Sequence, residues 1–196
     1  LHFAHANGYP PGAYRPLLER LTAHLHVYAM QMRPLWAGSD PRSILDWKPL
    51  AQDMDQFLSQ KQLAPVFGVG HSMGATSSLR LALEKPELYR SLVLIDPVLM
   101  PPCMSVVANV LFALGLSYRL NPFARGALKR RTVFENQSAM FENYRLKPVF
   151  GKLSDESLAA YVSAQALKEP DRRVRLRYPA EWEARIYITG SRADLA

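Results

Sequence analysis

Residues 70–74 read Gly70-His71-Ser72-Met73-Gly74 and stand between the apolar run 65–69 and a stretch with helical periodicity at Leu79, Ala82 and Leu83. A Gly-x-Ser-x-Gly sequence in that setting predicts a sharp strand-to-helix turn that lifts a serine hydroxyl clear of a sheet. Such a turn has no room for a side chain at either glycine, because neighbouring backbones crowd it. A strand that ends in the turn and a helix that leaves it call for a parallel sheet with helices packed on it.

The flanking sequence agrees. Residues 1–4 read as a strand, followed by the loop His5-Ala6-Asn7-Gly8-Tyr9-Pro10-Pro11-Gly12. Leu17, Leu18, Leu21 and Leu25 recur at helical spacing, and residues 27–30 form a second strand. Leu50, Met54, Phe57 and Leu58 mark a second helix, with Asp53 and Asp55 expected on its outer side. The helix after the serine stops before Pro86, and residues 91–95 make a fourth strand. The unbroken apolar character of that strand predicts helices over both of its faces.

The pattern changes after Asp96-Pro97. Residues 98–182 show no clear strand, many helix formers and frequent prolines, with Ser154-Asp155-Glu156 expected to cap a helix start. Regular β structure is expected to resume at 184–188. The predicted organisation is α/β: a mostly parallel sheet flanked by helices in residues 1–97, a helical insertion over 98–182, and a return to the core in 183–196.

Composition narrows the function classes. The single cysteine, Cys103, excludes a disulfide framework and reads as a small buried apolar residue. The net charge of +7 is concentrated in residues 97–182, which hold thirteen basic and seven acidic residues. The basic stretches 129–131 and 172–177 are short and lack interleaved aromatics, so they read as solvated faces and not as a nucleic-acid surface. No run reaches the ~18 apolar residues needed to span a bilayer. The nearest, 105–116, is interrupted by Asn109. The first residues have no charged leader or cleavage site, so a cytoplasmic location without a signal peptide is expected, and both ends read as cut.

A serine hydroxyl is a weak nucleophile. It needs a base, usually histidine, a carboxylate to orient that base, and donors for the oxyanion formed on attack. The loop His5-Ala6-Asn7-Gly8 can aim a backbone N–H at the serine, and Met73 supplies a second from the start of the helix.

On these residues the chain resembles the α/β-hydrolase superfamily, in its serine-nucleophile branch with a helical cap. The resemblance rests on the His5–Gly8 loop, the turn at 70–74, the strand end Leu92-Val93-Leu94-Ile95-Asp96-Pro97, and Ile186-Tyr187-Ile188-Thr189-Gly190 running to Asp194. It implies the third to seventh strands of that fold, with the cap between the sixth and seventh. It further implies Ser72 as nucleophile, Asn7 and Met73 as oxyanion-hole donors, and Asp194 as the acid, with Asp96 the alternative. The family's base is a histidine after an eighth strand, and this sequence has none beyond residue 71. Of its five histidines, His71 is expected to pack at the turn and His5 to brace the loop. His24 and His26 are expected at the surface; the remaining one is His2. Arg33 and Asp46 are expected in structural roles.

The activity implied is hydrolysis of an ester, thioester or related acyl bond. The apolar cap run Val106, Val107, Val110, Leu111, Phe112 and Leu114 suggests a hydrophobic small-molecule substrate. The alternative is a hydrolase-fold binding or interaction protein that lacks the base. No residue cluster is spaced to bind a metal, and neither a metal nor an organic cofactor is implied. No feature speaks to the oligomeric state.

Overall fold

The short apolar runs of the first 95 residues pair as parallel strands in a computed structural model that describes residues 1–190 and 192. In chain order the elements are β1 (His2–Ala4), α1 (Arg15–Thr22), β2 (Tyr28–Met30), α2 (Lys48–Gln60), β3 (Val66–His71), α3 (Met73–Glu84) and β4 (Tyr89–Ile95). The strands lie in the order β2-β1-β3-β4, every neighbouring pair parallel, with Gly70 in register between Ala4 and Leu94.

Local chemistry sets the helix boundaries. The Asp46 carboxylate accepts the Lys48 N–H at 2.7 Å and so caps α2, whose second residue is Pro49. Leu50, Met54 and Leu58, four residues apart, are fully buried on one face of α2 against Met73 and Leu81 of α3. Each such side chain contributes about 1.5–3 kcal/mol of transfer free energy.

Asp53 departs from expectation. It lies on the inner side of α2, 5% exposed, and accepts two hydrogen bonds from Arg33, at 2.8 Å from Nε and 2.6 Å from Nη2. The bidentate fit gives Arg33 the structural role expected of it. Because the Arg33 side chain keeps 24% of its exposure, removing its partner costs less than breaking a fully buried pair. Asp53→Ala is expected to lower the unfolding free energy by about 2–3 kcal/mol, read by urea denaturation. A loss below ~0.5 kcal/mol would place the pair among ordinary surface ion pairs.

β4 also differs from the sequence reading. Helices α2 and α3 cover one side of the sheet, but Phe67, Val93 and Ile95 on the other side are 44%, 54% and 40% exposed among the described residues. An unbroken apolar strand is therefore covered here on one face only.

The chain continues with α4 (Pro102–Ala113), α5 (Ser117–Leu120), α6 (Pro122–Lys129), β5 (Val133–Phe134), α7 (Gln137–Arg145), α8 (Asp155–Gln165), β6 (Ala166–Lys168), β7 (Val174–Leu176) and α9 (Ala180–Gly190). Side-chain oxygens of Asn121, Asn136 and Ser154 cap α6, α7 and α8, the last as expected from the sequence. A small antiparallel sheet in the order β5-β7-β6 corrects the reading of 98–182 as strand-free. Its strands of two or three residues are too short to show periodicity, and Arg175 separates the buried Val174 and Leu176. Cys103 is exposed, not buried.

The largest correction concerns 184–188, which is helical and not a strand. The β-branched residues Ile186, Ile188 and Thr189 favour a strand locally. Tertiary packing overrides that preference. Trp182 and Ile186, four apart, enter the central core, while Ala184 and Ile188 pack on Ala124 and Ala127 of α6. The Arg185 guanidinium is buried and donates from Nε and Nη2 to the Ile44 carbonyl at 2.9 and 2.6 Å. Only a helix presents these two faces at once.

Candidate active site

Ser72 joins β3 to α3 with φ +51° and ψ −116°, a left-handed backbone that a residue with a Cβ adopts only under constraint. The constraint is visible on both sides. The Ser72 N–H extends the ladder by donating to the Ile95 carbonyl at 2.9 Å, and its own carbonyl accepts the Thr76 N–H at 3.0 Å to start the helix. At Gly74 a Cβ would lie 2.3 Å from the Ala4 carbonyl oxygen and 2.7 Å from that of His5. The first turn of α3 therefore rests directly on the end of β1, and the loop leaving β1 is brought beside Ser72.

That loop is held by residues far away in sequence. The Tyr14 hydroxyl accepts the Ala6 N–H at 3.1 Å and bonds His71 Nδ1 at 2.7 Å, tying the loop to the turn. Asn7 Nδ2 donates to the Glu183 carbonyl at 3.0 Å, and Asn7 Oδ1 accepts from the Tyr178 hydroxyl at 2.9 Å. Gln165 donates to the Gly8 carbonyl at 2.6 Å and accepts from the Tyr178 N–H at 3.1 Å. The bonds to Glu183 and Tyr178 fix the Asn7 side chain. Met73 is the first residue of α3, where helix geometry supplies no acceptor for its N–H. Met73 adjoins Ser72 in the chain, and Asn7 and Ser72 line the same cavity.

Ser72 opens onto a cavity of about 450 Å³. Its walls include Met104, Val107 and Leu111 of α4, Phe123, and Ile186 and Tyr187 of α9. Met100 also lines it, while Met30 and Met32 are buried in the core. The 184–188 segment therefore contributes to the pocket wall, in place of the strand end expected there. Asp194 lies outside the described residues. Asp96 follows β4 with φ +47°, one residue after the carbonyl that accepts the Ser72 N–H.

The five histidines fall into three groups. His24 and His26 are exposed in the joint before β2, at the end of the sheet opposite Ser72. His71 turns to Tyr14 and away from the pocket; burial holds its imidazole below the ordinary histidine value, against the pull of Asp96. His2 and His5 are fully buried, and burial pushes both down to about 4. His5 uses both ring nitrogens, Nδ1 toward the Ala6 carbonyl at 2.9 Å and Nε2 accepting the Met32 N–H at 3.1 Å. It braces the loop as a neutral ring.

A pH prediction follows from these two rings. The folded chain resists protonation of His2 and His5 until about pH 4, whereas the unfolded chain takes up those protons near 6.5. Their contribution to stability is full above the unfolded value and is lost as the pH falls toward 4. The expected slope is on the order of 1.4 kcal/mol per pH unit for each ring, measurable as urea midpoints between pH 7.5 and 4.5. His2→Phe keeps a ring against Phe57, whose centroid lies 5.6 Å away, and should reduce the slope. A flat profile in the parent protein would contradict the burial of both rings.

Nothing in the local sequence marks Tyr14, Gln165, Tyr178 or Glu183 as site residues. Three of them lie more than 150 positions from the loop they hold, and their side chains suit a protein surface equally well.

Comparison with known proteins agrees with this fold. The model of the alpha/beta hydrolase family matches residues 3–192. Over 60 residues the chain is 37% identical to the sn-1-specific diacylglycerol lipase ABHD11 of Mus musculus, a stretch covering 30% of this chain and 20% of that protein. Over 117 residues it is 30% identical to the type I acyl-CoA thioesterase mpaH of Penicillium roqueforti, covering 52% and 27% respectively. The matched stretches span about a fifth to a quarter of those relatives' length. The crystal structure of E-2-(acetamidomethylene)succinate hydrolase superposes with a TM-score of 0.73 at 19% identity, over 100% of this chain and 66% of that one, a likeness of fold.

Proposed function

Since the chain belongs to the alpha/beta hydrolase family over nearly its whole length, we propose that it is a serine hydrolase cleaving an ester, thioester or related acyl bond of a hydrophobic substrate. Ser72 Oγ attacks the acyl carbonyl, and the Asn7 and Met73 N–H groups receive the oxyanion. The bond from the acyl carbon to the leaving oxygen or sulfur then breaks, the leaving group takes the serine proton by way of a base, and water releases the acyl group from Ser72. Residues 98–182 act as a cap whose α4 side chains receive the acyl chain. The similarity to a lipase and a thioesterase supports an acyl bond as the target.

The observation that carries this reading is the strained Ser72 backbone at the mouth of an apolar cavity. Strain of about 1–3 kcal/mol persists where the fold has a use for it. In this reading the base is a histidine that these 196 residues do not contain, because none of their five faces the pocket. Of the two candidate acids, Asp96 stands among the described residues. The test is fluorophosphonate labelling of the full-length protein followed by mapping of the adduct. Modification at Ser72 is expected, and a protein that takes up no label there is not a serine hydrolase.

The placement of those five histidines also favours a second reading, a hydrolase-fold binding protein that keeps the pocket without turnover. That protein would bind acyl esters reversibly and leave them intact over hours at micromolar concentration.

A further inference from the structure

Next to the acyl cavity lies a second one of about 350 Å³, and Phe123 and Tyr187 line both. Their rings stack with centroids 5.5 Å apart where the two cavities meet. The second cavity also touches Gly8, the residue after Asn7 in the loop beside Ser72. Unlike the first, it is charged: Arg130, Lys147 and Glu183 all face it.

The charges do not balance. Glu183 is ion-paired with Arg130, which departs from the solvated face read for 129–131, while Lys129 and Arg131 are exposed. The Arg130 Nη2 donates to the Tyr178 carbonyl at 2.7 Å. Its Nε is buried and has no hydrogen-bond partner among the described residues. The Lys147 ammonium sits 4.2 Å from the centre of the Tyr144 ring and makes no ion pair among the described residues. Two cations therefore share one carboxylate in a space walled by aromatic rings. Burial lowers the Lys147 pKa and raises that of Glu183, so both groups sit where solvent compensates charge poorly. A surplus cation in such a place is costly unless an anion arrives to meet it.

We propose that this chamber is an anion subsite, in which the Lys147 ammonium, beside the Arg130–Glu183 pair, holds a carboxylate carried by the substrate at the end remote from its acyl bond. The surplus of one positive charge matches a monoanion. A doubly charged phosphate would add uncompensated negative charge beside Glu183. The inference rests on the serine-hydrolase reading for which end of the substrate is cleaved, and it extends that reading to substrates with an apolar acyl segment and a distal carboxylate.

The test is equilibrium binding, so that it does not depend on turnover. Full-length protein carrying Ser72→Ala is titrated calorimetrically with the monomethyl esters of four- to eight-carbon diacids and with the matching dimethyl esters. At one or more chain lengths the monomethyl ester is expected to bind at least about tenfold more tightly, the scale of a charge-assisted contact. Adding Lys147→Met should bring the ratio of the two affinities to within about twofold, and Lys147→Arg should restore it. Dimethyl esters that bind without any monoester preference, or a preference that survives Lys147→Met, overturn the subsite and leave the acyl pocket standing. If neither ester binds, the subsite falls, and the Ser72 labelling result decides separately whether the hydrolase reading falls with it.

Discussion

Replacing Ser72 with alanine in the full-length protein is expected to abolish fluorophosphonate labelling and to lower acyl-ester turnover by about four to six orders of magnitude. The reasoning starts from the backbone. Ser72 is held at φ +51° by a strand ladder that ends in its N–H bond to Ile95 and a helix that begins at its carbonyl. The hydroxyl is thereby fixed at the cavity mouth before substrate arrives. Alanine keeps the turn and removes the hydroxyl, so folding should be retained. Ser72→Gly provides the complementary measurement. It removes the Cβ from a strained conformation, and it should raise the unfolding free energy by about 1 kcal/mol while also abolishing labelling. Labelling that persists in Ser72→Ala would assign the nucleophile elsewhere. A Ser72→Gly protein less stable than the parent would contradict the strain.

Gly74→Ala is expected to damage both stability and activity. A Cβ at this position would meet the Ala4 and His5 carbonyl oxygens at 2.3 and 2.7 Å, and neither is the free end of a flexible side chain. Either α3 lifts from the end of β1 or the loop bearing Asn7 moves outward. Overpacking of this kind costs about 2–3 kcal/mol, read from urea denaturation. A displacement near 1 Å of one oxyanion donor costs on the order of a hundredfold in kcat. The two readouts separate the responses: helix movement shows mainly as lost stability, loop movement mainly as lost kcat with little change in KM. A variant with parental stability and kcat would mean that the contact between β1 and α3 is not tight.

The legible part of the fold is the part where neighbouring residues carry the information. Gly70-His71-Ser72-Met73-Gly74 reads as a turn because its glycines and serine answer a local steric problem. The flanking runs read as parallel strands and helices for the same reason, and β1 to β4 lie where those runs stand. Residues 184–188 read wrongly because their branched side chains favour a strand, while Trp182, Ile186, Ala184 and Ile188 gain more by packing as two faces of a helix. Asp53 reads as outward because its type is usually solvated; a guanidinium twenty positions earlier draws it in.

The sequence by itself determined the parallel α/β class and the sharp strand-to-helix turn at Ser72, because each of these follows from steric and hydrogen-bonding needs within a few residues. Only the tertiary structure decided that Tyr14, Gln165, Tyr178 and Glu183 clamp the loop after β1, that α9 walls the cavity at Ser72, and that Arg130 and Lys147 face a second chamber. These depend on contacts between segments far apart in the chain. Such contacts are set by how whole faces bury and how buried charges find partners, and local sequence carries no record of that outcome.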